Sequence, residues 1–296
     1  MISVITPAYN AEQYLEQSMM SILNQTYKDI ELIVINDCST DNTEKIAINI
    51  AKKDERVKVI KTPTNLGVGG ARCEGLKIAK GDYIFLADAD DYYALDFIET
   101  LYNASIKYDA DIVSGGITTI KYDGSYISEG QPEGVYEDNF DKFQNQWGDG
   151  KITWSCNKLI KRWLYEKVPY KNRRFIEDTP IILPQIFYAN KIVVVNHTGF
   201  YHRLVKSSIC HTTNDLDNTL YRTLCWCELV EFFTKEFPEF IKQSTILRSV
   251  TKNIEWINNL VYTDEEIAPY KDLYFETMSK FFKIIKITGI DFKLKL

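Results

Sequence analysis

The sequence predicts an α/β fold: a mainly parallel sheet with helices on both faces, followed by a helical appendage. Three observations carry that prediction. Short apolar, β-branched runs alternate with segments of helical spacing from the first residues to about position 120. The alternation stops near Ser125, where a stretch rich in Gly, Pro, Asp and Glu runs to about Asp141 and reads as a sheet insertion or an active-site loop. From Leu216 onward the pattern is helical throughout, broken at Phe237-Pro238 and Ala268-Pro269.

Residues 2–6 form a short apolar strand, and Asn10, with Gln13 three positions on, opens a helix whose Tyr14, Leu15, Ser18, Met19, Ile22 and Leu23 share one face. Residues 30–35 are a near-continuous β-branched run, residues 39–41 cap a helix ending near Ala51, and 57–60 form a third strand. A glycine-led helix follows over 67–80, then a buried strand at 83–87 and a helix at 95–107. Residues 111–120 read as one strand leading into a hairpin at Asp123-Gly124. Segments 154–165 and 178–188 read as helices, and 191–196 with 199–205 as a closing pair of strands. Residues 1–212 are therefore expected to form the α/β domain and 213–296 the helical region.

The chain of 296 residues is long enough for one large domain or two small ones, and 45% hydrophobic with 26% charged residues excludes disorder and fibrous repeats. With 35 Lys+Arg against 41 Asp+Glu the net charge is −6, so no nucleic-acid partner is expected and any anionic ligand must be held locally. No signal-peptide pattern follows Met1 and no run of about 18 apolar residues occurs, so a cytoplasmic protein that does not span a membrane is expected. The six cysteines are scattered, which suggests neither a zinc ribbon nor a disulfide framework. Cys225 and Cys227, two apart in a helical stretch, point to different faces.

In an open parallel sheet the ligand sits beyond the carboxyl ends of the strands. Here those ends carry Thr6-Pro7-Ala8-Tyr9-Asn10, Asn36-Asp37-Cys38-Ser39 and Asp88-Ala89-Asp90-Asp91. Asn10, Asp37 and Ser39 taken singly read equally well as helix caps. The acidic group is harder to dismiss, because three carboxylates within four residues repel one another unless a cation is present. Hard oxygen ligands of this kind favour Mg²⁺ or Mn²⁺. Arg72 lies in a glycine-rich turn into a helix, NLGVGGAR, which suits close approach to an anion; a surface salt bridge is the alternative. Glu177-Asp178 opens a helical pattern, as favourable first-turn charge or as a general base. Tyr201-His202-Arg203 and Lys206-Ser207-Ser208 supply donors suited to a phosphate, or merely a solvated strand end.

Three stretches, ISVITPAYNAEQYLEQSMMSILNQTYKDIELIVINDCSTDNT, NLGVGGARCEGLKIAKGDYIFLADADD and RFIEDTPIILPQIFYANKIVVVNHTGFYHRLVKSSI, together resemble the family 2 glycosyltransferases of the GT-A fold, inverting enzymes that build bacterial polysaccharides from nucleotide sugars. The resemblance covers most of residues 1–209. It implies a nucleotide-sugar donor, a UDP-sugar, bound by residues 1–120, and a saccharide acceptor, glycan or lipid-linked, met by residues 121–212. Pro7 and Tyr9 would frame the nucleobase, Asp37 would accept a hydrogen bond from it, Arg72 would hold the nucleotide end and Asp88 would contact the ribose. Asp90 would bind the Mn²⁺ or Mg²⁺ that bridges the diphosphate, with His202 as a second candidate ligand. Arg203 and Ser207 or Ser208 would close over the diphosphate, and Asp178 matches the catalytic aspartate, which removes the acceptor's proton in one inverting displacement.

Two other classes compete. A nucleotidyltransferase shares the sheet and the acidic ligands but commonly needs a basic glycine-rich phosphate loop, which residues 6–10 lack. A non-catalytic nucleotide-sugar binding protein would have no use for Asp88, Asp90 and Asp178 together. Residues 275–296 carry five lysines against Glu276 and Asp291, a net +3, interleaved with Phe and Ile. That pattern suits peripheral contact with the inner face of the cell membrane, or a helix packed on the protein with its lysines in solvent.

Overall fold

The computed structural model describes residues 1–130, 133–139, 154–172, 178–205, 215–238 and 268–288. They fall into two compact units, Met1–Ser208 and Ile209–Leu296.

The first unit opens with three β/α repeats. Strand β1 (Ile2–Ala8) leads to helix α1 (Leu15–Leu23), β2 (Ile30–Asn36) to α2 (Thr43–Ala51), and β3 (Val57–Lys61) to α3 (Gly67–Ile78). Then come β4 (Tyr83–Leu86), the short β5 (Tyr92–Tyr93) and α4 (Phe97–Tyr108). Strands β6 (Ile112–Ser114), β7 (Ile117–Ile120), β8 (Tyr126–Glu129), β9 (Gly134–Tyr136) and β10 (Lys158–Lys161) follow, then α5 (Arg162–Lys167) and α6 (Thr179–Tyr188), and β11 (Ile192–Val194) and β12 (Phe200–Arg203) close the unit. Eight strands make a large sheet in the order β3-β2-β1-β4-β10-β6-β11-β9, and four make a small one, β5-β12-β7-β8. Strands β3, β2, β1 and β4 run parallel, as crossover helices require. Their near-continuous apolar text follows from burial on both faces: every residue of β2 is buried.

Four local expectations are corrected. Segment 154–165 is not one helix: it holds β10, which inserts antiparallel between β4 and β6, followed by α5. Tertiary pairing overrides the local pattern there, and the buried Lys158 is accommodated because its Nζ donates to the Trp154 carbonyl and to Asn157 Oδ1. The single strand expected over 111–120 is two strands in two sheets, broken at Gly115-Gly116. A Cβ at Gly115 would lie 2.6 Å from the Phe97 ring, so this bend needs a residue without a side chain. The closing strands do not pair with each other, since β11 joins the large sheet and β12 the small one. Asn10 does not cap α1, which starts five residues later; it sits at φ 48° and its Oδ1 accepts from the Thr40 backbone N–H at 2.9 Å.

The second unit contains α7 (Asp215–Glu236) and α8 (Lys271–Thr288), which pack together. Lys280 pairs with Glu228 at 2.8 Å and Lys283 with Glu231 at 2.7 Å across these helices. Two of the five lysines expected in solvent or at a membrane are thus ion-paired. No helix among the described residues is long and apolar enough to cross a membrane.

Candidate active site

The carboxyl ends of β1, β2 and β4 open on one side of the large sheet, and the start of α6 and the end of β12 reach the same place. Residues from all five are joined there by hydrogen bonds. Asp37, immediately after β2, is buried and its carboxylate is already engaged. Oδ1 accepts from the Thr62 hydroxyl and the Leu66 N–H, and Oδ2 from the Gly67 N–H, each at 2.8 Å. This places an anion on the N-terminus of α3, where unsatisfied N–H groups and the helix dipole favour negative charge. The glycine-led turn that reads as a cradle for a ligand anion therefore holds the protein's own carboxylate. Of roughly four acceptor positions on Asp37, three are filled. Pro7 is half-buried at the end of β1, and Tyr9 beside it is 53% exposed.

Arg72 occupies the centre. It is 2% exposed, which removes the surface salt-bridge alternative. One terminal nitrogen, Nη1, donates to Asp178 Oδ1 at 2.5 Å and the other, Nη2, to Asp88 Oδ1 at 2.8 Å. The planar fork of a guanidinium makes this double contact possible. Both terminal nitrogens of Arg72 face protein carboxylates, so its geometry joins Asp88 to Asp178. Helix α3 can bring Arg72 here because residue 70 is glycine: a Cβ there would lie 2.5 Å from Asn172 Oδ1, on the segment that carries Tyr170.

Asp178 is the N-cap residue of α6, yet its side chain makes no capping bond to that helix. Among the described residues its Oδ1 accepts from Arg72, from the Tyr170 hydroxyl at 2.6 Å and from the Ser155 hydroxyl at 2.9 Å, while Oδ2 accepts only the Ser155 N–H at 3.2 Å. First-turn charge alone does not account for such a set of partners.

At the end of β4, Asp88 and Asp91 carboxylate oxygens and the Cys156 sulfur all lie within 4.8 Å of one another. Burial pushes the Asp90 carboxyl up to about 7, and the neighbouring charges of Asp91 and Asp88 push it the same way. Asp91 is raised too, mainly by burial. Its Oδ1 accepts the Arg203 N–H at 2.8 Å and its Oδ2 lies 3.3 Å from His202 Nδ1. Burial works to lower His202, but the hydrogen bond and charge of Asp91 outweigh it and the imidazole titrates above its ordinary value. Arg203 donates to the Asp90 carbonyl and to Gln17 Oε1, both at 2.8 Å, with its guanidinium over the rings of Tyr14 and Tyr92.

The oxygen-rich cluster suits a hard divalent cation, which would relieve the mutual repulsion that raises Asp90. Cys156 does not suit one: burial holds its thiol well above the usual range, in the protonated form, and a thiol is a soft ligand. Asp90 and His202, expected as metal ligands, stand outside the tightest grouping of Asp88, Asp91 and Cys156, although both interact electrostatically with Asp91.

Ser207, Ser208 and Glu177 lie outside the described residues. Sequence reasoning missed Ser155 and Tyr170, the partners of Asp178, and Tyr14, Gln17 and Tyr92, the partners of Arg203. Nothing in their local text marks them, since serines and tyrosines are common and only the fold brings these together.

Residues 3–168 match the family model described as Glycosyl transferase family 2. The chain is a family 2 glycosyltransferase. It is 32% identical over 298 residues to the glycosyltransferase GlyG of Streptococcus pneumoniae serotype 4, covering 93% of this chain and 94% of that one. It is 35% identical over 213 residues to the poly(ribitol-phosphate) beta-glucosyltransferase of Bacillus spizizenii, covering 69% of this chain but only 32% of that much longer protein. Among solved structures, the S. aureus TarS 1–349 complex with UDP-GlcNAc superposes with a TM-score of 0.74 at 19% identity, over 96% of this chain and 80% of TarS 1–349. That likeness establishes the shared GT-A fold. Membership of the family makes this chain an enzyme that transfers glycosyl groups, which displaces the nucleotidyltransferase and non-catalytic alternatives.

Proposed function

We propose that this glycosyltransferase moves a sugar from a UDP-sugar to a hydroxyl of a glycan or a related cell-surface polymer, by a single inverting displacement. The observation that carries the proposal is the convergence of Asp88, from the donor half, and Asp178, from the acceptor half, on the buried guanidinium of Arg72. A donor-side and an acceptor-side carboxylate held at one place are what a direct transfer needs. The names of the relatives support the substrate classes: TarS has been solved with UDP-GlcNAc, and the Bacillus spizizenii relative glucosylates a poly(ribitol-phosphate).

In this reading Pro7 and Tyr9 frame the nucleobase, and Asp37 holds the 62–67 turn in place against it, with one acceptor position left for the uracil N3–H. Asp88 faces the ribose. Asp90, with His202 as a second ligand, would hold Mn²⁺ or Mg²⁺, which when bound neutralises the charge of the departing diphosphate. Arg203, and Ser207 or Ser208, close over the diphosphate. Asp178 takes the proton from the acceptor hydroxyl as its oxygen attacks the anomeric carbon. No second carboxylate is assigned as a nucleophile, so one displacement with inversion follows.

A thermal-shift screen of UDP-glucose, UDP-N-acetylglucosamine, UDP-galactose and GDP-mannose with Mn²⁺ tests the donor class. A true donor raises Tm by mass action, about 2.7 kcal/mol of added stability at a hundredfold excess over Kd. The expected result is a shift for at least one UDP-sugar that exceeds the shift for GDP-mannose; the reverse order overturns the donor assignment. Asp178→Asn is expected to preserve that shift while lowering kcat by roughly 10²- to 10⁴-fold, the scale for losing a general base.

A further inference from the structure

We infer that Ser155 and Tyr170 are positioning residues for the base, which saturate one oxygen of Asp178 and thereby select the other, Oδ2, to receive the acceptor's proton. The inference rests on the assignment of Asp178 as that base. A carboxylate oxygen offers two lone pairs, and Oδ1 has three donors aimed at it: Arg72 Nη1, the Tyr170 hydroxyl and the Ser155 hydroxyl. Among the described residues Oδ2 has only the Ser155 N–H, at the longer distance of 3.2 Å. The asymmetry leaves Oδ2 with an acceptor position for a hydroxyl, and Asp178 keeps 22% of its side chain exposed, enough to be met from solvent.

Both positioning groups are themselves fixed. Ser155 precedes β10 on a turn held by three buried donors: Tyr93 gives its hydroxyl to the Cys156 carbonyl at 3.0 Å, Lys158 gives its ammonium to the Trp154 carbonyl at 2.7 Å, and Asn157 gives its amide to the Gly115 carbonyl at 2.7 Å. Burying a lysine and an asparagine to hold one turn is a costly arrangement unless the turn must be exact in position. Tyr170 is clamped from two sides. Its hydroxyl accepts from Arg72 Nη1 at 3.3 Å as it donates to Asp178, and its carbonyl accepts from the Cys73 thiol at 3.4 Å. Its ring stacks on Tyr165 at 6.0 Å. A carboxylate so tethered cannot swing its free oxygen away from the acceptor, and a displacement of about 1 Å in such a group costs as much as 10²-fold in rate.

The test compares Tyr170→Phe, Ser155→Ala and Ser155→Thr in the full-length protein, each also combined with Asp178→Asn, using as donor whichever sugar nucleotide of the four above gives the largest thermal shift. Tyr170→Phe keeps the stacked ring and Ser155→Thr keeps the hydroxyl, so neither empties a packed site. Tyr170→Phe and Ser155→Ala are each expected to lower kcat roughly 10- to 100-fold with the donor KM changed less than about twofold, and Ser155→Thr to restore most of the loss. On the Asp178→Asn background neither should lower kcat further, because a positioning residue has nothing left to position. If both variants keep the wild-type kcat while Asp178→Asn is impaired, the positioning role falls and the base survives. Full additivity with Asp178→Asn also defeats it, since the two groups would then act elsewhere. If Asp178→Asn itself keeps kcat, it is the base assignment that fails.

Discussion

Asp88 and Asp178, which lie on opposite halves of the chain's first unit, share the guanidinium of Arg72, at 2.8 Å and 2.5 Å. One buried cation thus balances two carboxylates, and the same contact ties the end of β4 to the start of α6. The relationship has consequences for stability as well as for chemistry.

Arg72→Lys is expected to be a severe change despite the conserved charge. A single ammonium has no fork and reaches one carboxylate at most, leaving the other beside a buried, low-dielectric site. Losing a buried partner costs about 3 kcal/mol, the lower end of the usual range because Asp88 and Asp178 retain some access to water. The midpoint of urea unfolding measures it, and a midpoint within error of wild type would show that the clasp contributes nothing to the fold.

Asp90 predicts how metal binding follows pH. Its carboxyl titrates at about 7 in the fold and at an ordinary value of 3.8 when exposed, so between these values the native protein holds a proton that the unfolded chain has lost. This group therefore destabilises the metal-free protein progressively as pH rises from about 4 to 7. A divalent cation needs the ionised form and competes with that proton. The rise in Tm caused by Mn²⁺ is expected to be small at about pH 5.5, to grow through about 7 and to level off above it. Asp90→Asn should remove most of the rise at high pH. A Mn²⁺ effect of equal size at both ends of this range contradicts the ligand assignment.

How much of this was legible in the sequence depends on which interactions define each feature. The β/α repeats of residues 1–80 could be read because strand and helix there are set by local periodicity, and every residue of β2 is buried as its text implies. Strand β10 could not, because what makes 158–161 a strand is the pair of neighbours, β4 and β6, waiting on either side. The same division runs through the site. Asp37, Asp88, Asp90 and Asp178 announce themselves as acidic residues at strand ends or at the start of a helix. Ser155 and Tyr170 stand beside Asp178 only because the fold brings the turn before β10, the segment after α5 and the start of α6 together, and the two carboxylates that Arg72 meets are likewise visible only in the fold.

Asp37 separates two roles that binding alone confuses. If its carboxylate served only to contact the base, Asp37→Asn would weaken UDP binding and leave the ligand-free protein as stable as before. The three donors from Thr62, Leu66 and Gly67 predict otherwise: an amide NH₂ turned toward a backbone N–H leaves a buried donor unsatisfied, at about 1–3 kcal/mol. The ligand-free Tm should fall, and UDP affinity by calorimetry should fall with it as the 62–67 turn loosens. An unchanged Tm with weakened UDP binding would restore direct base contact as the main role.

The C-terminal helix tests whether charge or packing governs the second unit. The lysine-rich text of 275–296 favours an anionic surface only if its ammonium groups are available, and Lys280 and Lys283 are engaged with Glu228 and Glu231 on α7. Each surface pair is worth little, roughly 0–1 kcal/mol, but each also cancels a charge that would otherwise be drawn to anionic lipid at about 1 kcal/mol per residue. Beside exposed charged residues such as Lys271, Glu276 and Lys283, α8 presents Phe275 and Phe282, both exposed and seven positions apart, on one face of the helix. With two of the five lysines neutralised by α7 carboxylates, the two aromatic rings give weak binding with little preference for lipid charge. The full-length protein is therefore expected to sediment with anionic vesicles no more than with neutral ones, at low and at high salt alike. Salt-sensitive pelleting with anionic vesicles, abolished in a Phe275→Ser, Phe282→Ser variant that keeps the wild-type Tm, would instead place this helix at a membrane surface.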